Sequence, residues 1–237
     1  MQNLPQSHIL PTRVLRFNQY ILVFCLLLSS LFSSAVRATD LYVGNKPIPP
    51  AVALVAQQTN DLLAQLNERR TEFTETPSRL IDYAKGFALT HWDIKRTSRL
   101  ILGPYWRKAN AEQRQAFQDE YLKTLLRYVI RAYGYYDDSL LEVVAYDWKP
   151  LRTGGWVLSK IRIPAGVTVA VDYRMILDKN TNQWRLIDVR AEGISLVNVK
   201  RTEYRQVAKR DGIDGLLTLM SDKNDKVLQP ILVSDTE

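Results

Sequence analysis

Between Val167 and Leu177 the chain reads Val-Thr-Val-Ala-Val-Asp-Tyr-Arg-Met-Ile-Leu, with every odd position apolar. Val167, Val169, Val171, Tyr173, Met175 and Leu177 are mostly β-branched or aromatic, so the period of two predicts a long strand with one apolar face. That face needs a cover, either protein core or in part a bound apolar ligand. Periodicity alone leaves both open.

The rest of the chain divides near Ser139, with helical periodicity before it and strand-like runs after it. This segregation points to an α+β fold rather than alternating βαβ units. Helices are expected from about Ala51 to Arg69, over Ser78 to Phe87 behind Pro77, over Ile94 to Leu102 behind the N-cap Asp93, and from a capping box at Asn110 and Gln113 to about Tyr133. Gly103-Pro104 stops the third of these. Four strands follow at Leu140 to Trp148, Gly155 to Ile163, Val167 to Leu177 and Gln183 to Ala191. Their turns are short, including Pro164-Ala165-Gly166, which favours an antiparallel meander. A helix from about Ser195 to Lys209, a break at Asp211-Gly212 and a short helix Ile213 to Met220 close the pattern. Residues 223–237 read as a flexible tail.

Residues 1–38 read as an export signal rather than as fold. Arg13 and Arg16 precede the apolar run Tyr20 to Leu28, and Val36-Arg37-Ala38 suits cleavage before Thr39. The run is shorter than the roughly 20 residues of a spanning helix. Phe24 before Cys25 is too bulky for a lipoprotein signal. The working domain is then 39–222, within an exported chain.

Cys25 and His8 lie in that leader, so His91 is the only histidine beyond it and no cysteine remains. Disulfides, thiol catalysis and Cys/His zinc sites drop out, and no metal or cofactor is expected. His91 has no Gly-x-Ser-x-Gly elbow to serve and reads as a surface or capping residue. The leader carries three of the 32 Lys and Arg and none of the 25 acids, which leaves 29 against 25. Such a balance is no nucleic-acid signature. Tyr128, Tyr133, Tyr135, Tyr136, Tyr146, Trp148, Trp156 and Trp184 therefore read as core and edge aromatics rather than base-stacking platforms. By parity Asp172 points away from the apolar face of its strand. Asp188 shares parity with Trp184 and Leu186, so it is either an inward carboxylate satisfied by a partner or the acid/base of an enzyme acting on a small apolar substrate. A purely structural adaptor is the third possibility.

The run Asp93-Ile94-Lys95-Arg96-Thr97-Ser98-Arg99-Leu100-Ile101-Leu102-Gly103-Pro104-Tyr105-Trp106-Arg107, then Ala111 to Phe117, resembles the MlaC family of periplasmic phospholipid carriers, also called toluene-tolerance proteins. A second block, Trp184 to Val197, is similar to the family pattern Trp-x-x-x-Asp-x-x-x-Glu-Gly-x-Ser, and a third is Gly212-Ile213-Asp214-Gly215-Leu216. The resemblance implies helices packed over a curved antiparallel sheet of about four strands, an NTF2-like cone with a helical subdomain. It implies a non-enzymatic monomer that carries glycerophospholipid between an outer-membrane lipoprotein complex and an inner-membrane ABC transporter with its substrate-binding ring protein, maintaining outer-membrane lipid asymmetry. Carried onto this sequence, the lipid lining is Leu126 and Val129 on the long helix, Val169, Val171 and Tyr173 on the strand, and Ile194, with Leu102 and Tyr105 at the mouth.

Overall fold

The computed structural model describes residues 48–133, 142–162 and 167–234. The expected leader at 1–38, the segment up to Pro47, Tyr135, Tyr136 and the turn Pro164-Ala165-Gly166 lie outside those residues. The elements run α1 (Pro50–Glu68), α2 (Arg70–Glu75), α3 (Pro77–His91), α4 (Ile94–Leu102), α5 (Pro104–Lys108), α6 (Ala111–Tyr133), β1 (Glu142–Pro150), β2 (Gly155–Arg162), β3 (Thr168–Asp178), β4 (Gln183–Ala191), β5 (Ile194–Ser195) and α7 (Leu196–Ser234). The helix starts obey the local chemistry of the sequence. The N–H of Arg96 donates to Asp93 Oδ1 at 2.8 Å, and Asn110 and Gln113 exchange side-chain-to-backbone hydrogen bonds at 2.8 and 3.1 Å. The six-residue α2 between α1 and α3 carries no such signature and was not anticipated.

The strands form one antiparallel sheet in the order β1-β2-β3-β4-β5, confirming an α+β fold. The fifth, two-residue strand adds to the four expected. Its cause is Glu192-Gly193, whose φ values of 48° and 80° make the two-residue turn that pairs Ala191 with Ile194. The Glu192 carboxylate also accepts the Ala170 N–H at 2.5 Å, while its own N–H donates to Ala170 O at 2.9 Å, fastening the turn to β3.

Register fixes which side chains meet the helices. Val157 stands opposite Tyr173, and Tyr173 opposite Val189, while Ser159 stands opposite Val171 and Val171 opposite Ala191. Val157, Val171 and Val189 are fully buried in the main core with Phe117 and Tyr121 of α6. The apolar face of β3 is shorter than its sequence run, because Val167 is 54% and Leu177 38% exposed. Val167 precedes the first paired residue, Thr168. At the other end a bulge leaves Ile187 of β4 without a partner, so the register changes between Arg174 and Met175.

Helix α7 bends at Gly212, where φ 75° and ψ −176° interrupt the helix at the expected place. The expected tail, by contrast, is helical through Ser234. Asn224 is fully buried, its amide donating to Glu120 O at 2.9 Å and Glu120 Oε2 at 2.8 Å, and its carbonyl accepting from Thr124 Oγ1 at 3.2 Å. One turn later Leu228 packs with Ile81, Ala84 and Leu126. A charged segment thus hides one polar and one apolar anchor four residues apart, which composition does not reveal.

Candidate functional site

An apolar crevice opens where α1 and α3 lie over α6 and the end of the sheet. Helix α1 supplies Leu62 and Leu66, and α3 supplies Leu80, Tyr83, Ala84, Phe87, Ala88 and His91, with Trp92 just beyond. Leu125 and Val129 of α6 and Leu186 of β4 form its floor. The i, i+3, i+4 and i+7 spacing of Leu80, Tyr83, Ala84 and Phe87 is what puts them on one side of α3. In this conformation the cavity measures about 60 Å³. Ligand pockets usually hold roughly 300–1,000 Å³, so α1 and α3 must separate before anything large enters.

Through Tyr83, Phe87 and His91 the crevice adjoins a wider groove of about 480 Å³ between α1 and α3. Its edges are polar, with Gln57, Gln58 and Asp61 on α1 and Asp82 and Thr90 on α3. The Gln58 amide nitrogen lies 2.7 Å from His91 Nδ1 and joins the two helices across the groove. Burial, then the nearby charge of Arg185, holds the His91 pKa below its usual 6.5, while Asp61 opposes the shift. The imidazole therefore sits neutral, able to accept from the amide. An apolar slot joined to a polar-edged groove is suited to an amphiphile.

The C-terminal end of α3 is firmly tied to β4. Arg185 donates to Leu89 O, Thr90 O and Trp92 O at 3.1, 2.5 and 3.2 Å, and the Asp93 N–H donates to Leu186 O at 2.8 Å. Trp92 Nε1 donates to Thr97 Oγ1 at 2.9 Å, and that hydroxyl donates to Ile187 O at 3.0 Å. These bonds fix the C-terminal end of α3 on the sheet.

The eight residues expected to line a pocket are distributed differently. Val129 alone among them lines the crevice. Leu126 is not in that lining but beside it, in the small cluster with Ile81, Ala84 and Leu228 against which Val129 also packs. Val169 and Val171 are buried in the main core, with Tyr173 and Ile194 half-buried against it. Leu102 is fully buried, and Tyr105 packs at the core edge beneath the Lys108 ammonium, 5.6 Å from its ring. Leu62, Leu66, Leu80, Tyr83, Phe87 and Arg185 were missed. The first five were visible only as helix stripes whose partner was unknown, and Arg185 read as one more strand cation.

Asp188 is a helix cap. The bulge at Ile187 takes it out of the parity of Leu186 and sets it opposite Arg174. Ser195 Oγ donates to its Oδ2 at 2.5 Å and the Val197 N–H to its Oδ1 at 3.0 Å. Burial pushes its pKa up, and these two bonds pull against that shift. Both carboxylate oxygens are engaged away from the crevice, whose lining contains no carboxylate. Asp172 does lie on the side of β3 opposite Val171, but it is buried rather than solvent-facing, because the Arg190 guanidinium pairs with it and stacks 4.3 Å over Trp156. Of the other aromatics among the described residues, Trp148 meets Trp184 edge-on at 5.9 Å, and Tyr128 lies under the Lys200 ammonium at 5.2 Å. Among the described residues no group of three His, Cys, Asp or Glu is placed to hold a metal, and no helix is long and apolar enough to cross a membrane.

The family described as MlaC protein matches residues 56–222, and the chain belongs to that family. It is similar to the intermembrane phospholipid transport system binding protein MlaC of Haemophilus influenzae, 20% identical over 215 residues, covering 90% of this chain and 94% of that one. It is also similar to toluene tolerance protein ttg2D of Pseudomonas putida, 24% identical over 165 residues, 68% of this chain and 74% of that one. Among solved structures it matches a phospholipid-binding protein of Ralstonia solanacearum in complex with a phospholipid. That likeness has a TM-score of 0.53 and 24% identity, over 62% of this chain and 84% of the other.

Proposed function

We propose that this MlaC-family chain is a periplasmic phospholipid carrier that takes acyl chains between α1, α3, α6 and the sheet and leaves the headgroup in the polar-edged groove. The observation that carries this reading is the continuity of the apolar crevice with that groove through Tyr83, Phe87 and His91. As α1 and α3 part about the end held by Arg185, the chains pass Val129 and Leu186 and reach the helix-facing side of the sheet at Val171 and Tyr173, with Val169 and Ile194 deeper along it. Leu102 and Tyr105 support this wall from α4 and α5 rather than forming the mouth. Leu126 packs beside the lining, in the cluster that shares Ala84 with it.

Energetics favour hand-off over release. Two acyl chains hold roughly 28 methylenes, and at about 0.8 kcal/mol each their exposure to water costs more than about 20 kcal/mol. Exchange with a bilayer or another protein keeps the chains dry, so the net driving force is small and direction is set by the partners. The leader at 1–38 directs export, and the partners are an outer-membrane lipoprotein complex and an inner-membrane ABC transporter with its ring protein. The test is mass spectrometry of an organic extract of the purified protein, with transfer of a labelled phospholipid between vesicles. Co-purifying phospholipid and accelerated transfer are expected. Protein that carries no lipid, retains none on incubation and does not speed transfer overturns the reading.

A further inference from the structure

Helices α4 and α5 and the first turns of α7 build a face rich in cations, most of which make no ion pair among the described residues. On α4, Thr97, Ser98, Ile101 and Leu102 are buried while Lys95, Arg96 and Arg99 are exposed, so this short helix turns a basic side outward. Exposed Arg107 and Lys108 on α5 and half-buried Arg201 and Arg205 on α7 extend it. Asp93 reaches Arg96 at 3.3 Å, but among the described residues no ion pair is made by Arg99, Arg107, Lys108, Arg201 or Arg205.

The patch is one rigid surface. Arg201 and Arg205 donate to Leu100 O at 3.2 and 3.0 Å, and Arg205 also to Ile101 O at 2.7 Å, tying α7 to the end of α4. Arg99 and Arg114 flank the Trp106 ring at 5.6 and 5.7 Å, tying α4 and α6 to α5. The charges crowd one another: partial burial, then the charge of Arg201, lowers the Arg205 pKa. Among these cations Leu100 of α4 is 37% exposed.

An exposed aliphatic side chain within a field of cations matches the chemistry of an anionic bilayer surface, where an apolar group enters the headgroup layer and cations meet phosphates. A folded acidic partner would be recognised best by forked guanidinium pairs, but Arg201 and Arg205 already turn nitrogens to the Leu100 and Ile101 carbonyls. What remains is diffuse charge, suited to a fluid layer of phosphates. We propose that this face docks the protein on anionic phospholipid membranes, with the cations of α4, α5 and α7 over the phosphates and Leu100 dipping between headgroups. Helix α4 begins just beyond His91 on the groove's edge, so such docking brings that edge near lipid.

The test is co-sedimentation with vesicles of phosphatidylglycerol and phosphatidylcholine against phosphatidylcholine alone, at low and high salt. Binding confined to anionic vesicles and weakened by salt is expected. The double variant Lys95→Glu/Arg107→Glu should bind at least about tenfold more weakly at an unchanged melting temperature, and Leu100→Ser should also bind more weakly. The crevice-filled variant Ala88→Phe should bind vesicles as the unaltered protein does, which separates docking from lipid uptake. Equal binding to neutral and anionic vesicles overturns the proposal, as does undiminished binding by the charge-reversed variant. Absence of vesicle binding, with charge reversal still slowing delivery to a protein acceptor, also overturns it and assigns the face to an acidic protein.

Discussion

Ser195 Oγ donates to Asp188 Oδ2 at 2.5 Å and at the same time accepts the Asn198 N–H at 3.0 Å, so one hydroxyl joins the end of β4 to the first turn of α7. The Val197 N–H completes the arrangement at Asp188 Oδ1. In the motif Trp184-x-x-x-Asp188-x-x-x-Glu192-Gly193-x-Ser195, the acid caps a helix, Glu192-Gly193 turns the chain back by two residues, and Ser195 is thereby returned to the acid. The motif is a device for launching α7 from the sheet.

That role predicts a stability loss. Asp188→Ala leaves the Ser195 hydroxyl and the Val197 N–H without a partner, which should cost about 2–4 kcal/mol in urea unfolding. Ser195→Ala removes the N-cap and should cost about 1 kcal/mol. Neither should impair lipid transfer by protein that remains folded. If Asp188→Asn left stability intact and abolished turnover of a small substrate, an enzymatic carboxylate would be indicated instead.

Glycines separate backbone strain from collision. Gly193 has φ 80° and open space where a Cβ would lie, so Gly193→Ala should cost only the conformational term of about 1–2 kcal/mol. Gly103 has φ 56°, and a Cβ there would lie 2.0 Å from an Arg205 guanidinium nitrogen, displacing the side chain that caps Leu100 and Ile101. Gly103→Ala should therefore lower the melting temperature well beyond Gly193→Ala. Equal effects would mean that Arg205 contributes nothing at the end of α4.

Local chemistry made most of this fold legible. Asp93, Asn110 and Gln113 announce helix starts because capping is settled within four residues, and the alternation in β3 announces its buried side. What stayed hidden depends on distant partners. The bulge at Ile187 arises from pairing with β3 and inverts the parity expected for Asp188. The end of α7 is ordered by the Asn224–Glu120 contact, and the crevice lies under α3 rather than under the strand because α1 and α3 lie over α6 with a gap between them. A stripe on a helix shows that it is covered, not by what.

The depressed pKa of His91 gives a pH dependence. Its folded value lies below the ordinary 6.5, so the neutral form is favoured by folding. The stabilising contribution is complete above about 6.5 and is lost as pH falls through the depressed folded value. Protonation also places a hydrogen on Nδ1, facing the Gln58 amide nitrogen, and weakens the link across the groove. Labelled-phospholipid exchange should speed up between about pH 7 and pH 5, and His91→Gln should flatten that profile. An unchanged profile in the variant would show that His91 does not hold α1 to α3.

The crevice itself is tested by filling it. Ala88 lies half-buried on α3 beside Phe87, with one side toward the space shared by Leu186 and Val129 and the other toward solvent. Ala88→Phe can therefore swing into the gap with little overpacking, and the melting temperature should change by no more than the shift of about 1 kcal/mol expected of a tolerated substitution. Lipid retention, measured by mass spectrometry of the extracted protein, should fall to background because the ring occupies the entry between α1 and α3. Leu126→Ala supplies the contrast. Its side chain is buried with Ile81, Ala84 and Leu228 beside the crevice but not in its lining, so truncation should cost about 2–5 kcal/mol of stability by opening a cavity there, while bound phospholipid persists in the folded fraction. The reverse pattern, with lipid lost in Leu126→Ala and kept in Ala88→Phe, would place the acyl wall in the cluster around Leu228 and take the crevice out of the transport path.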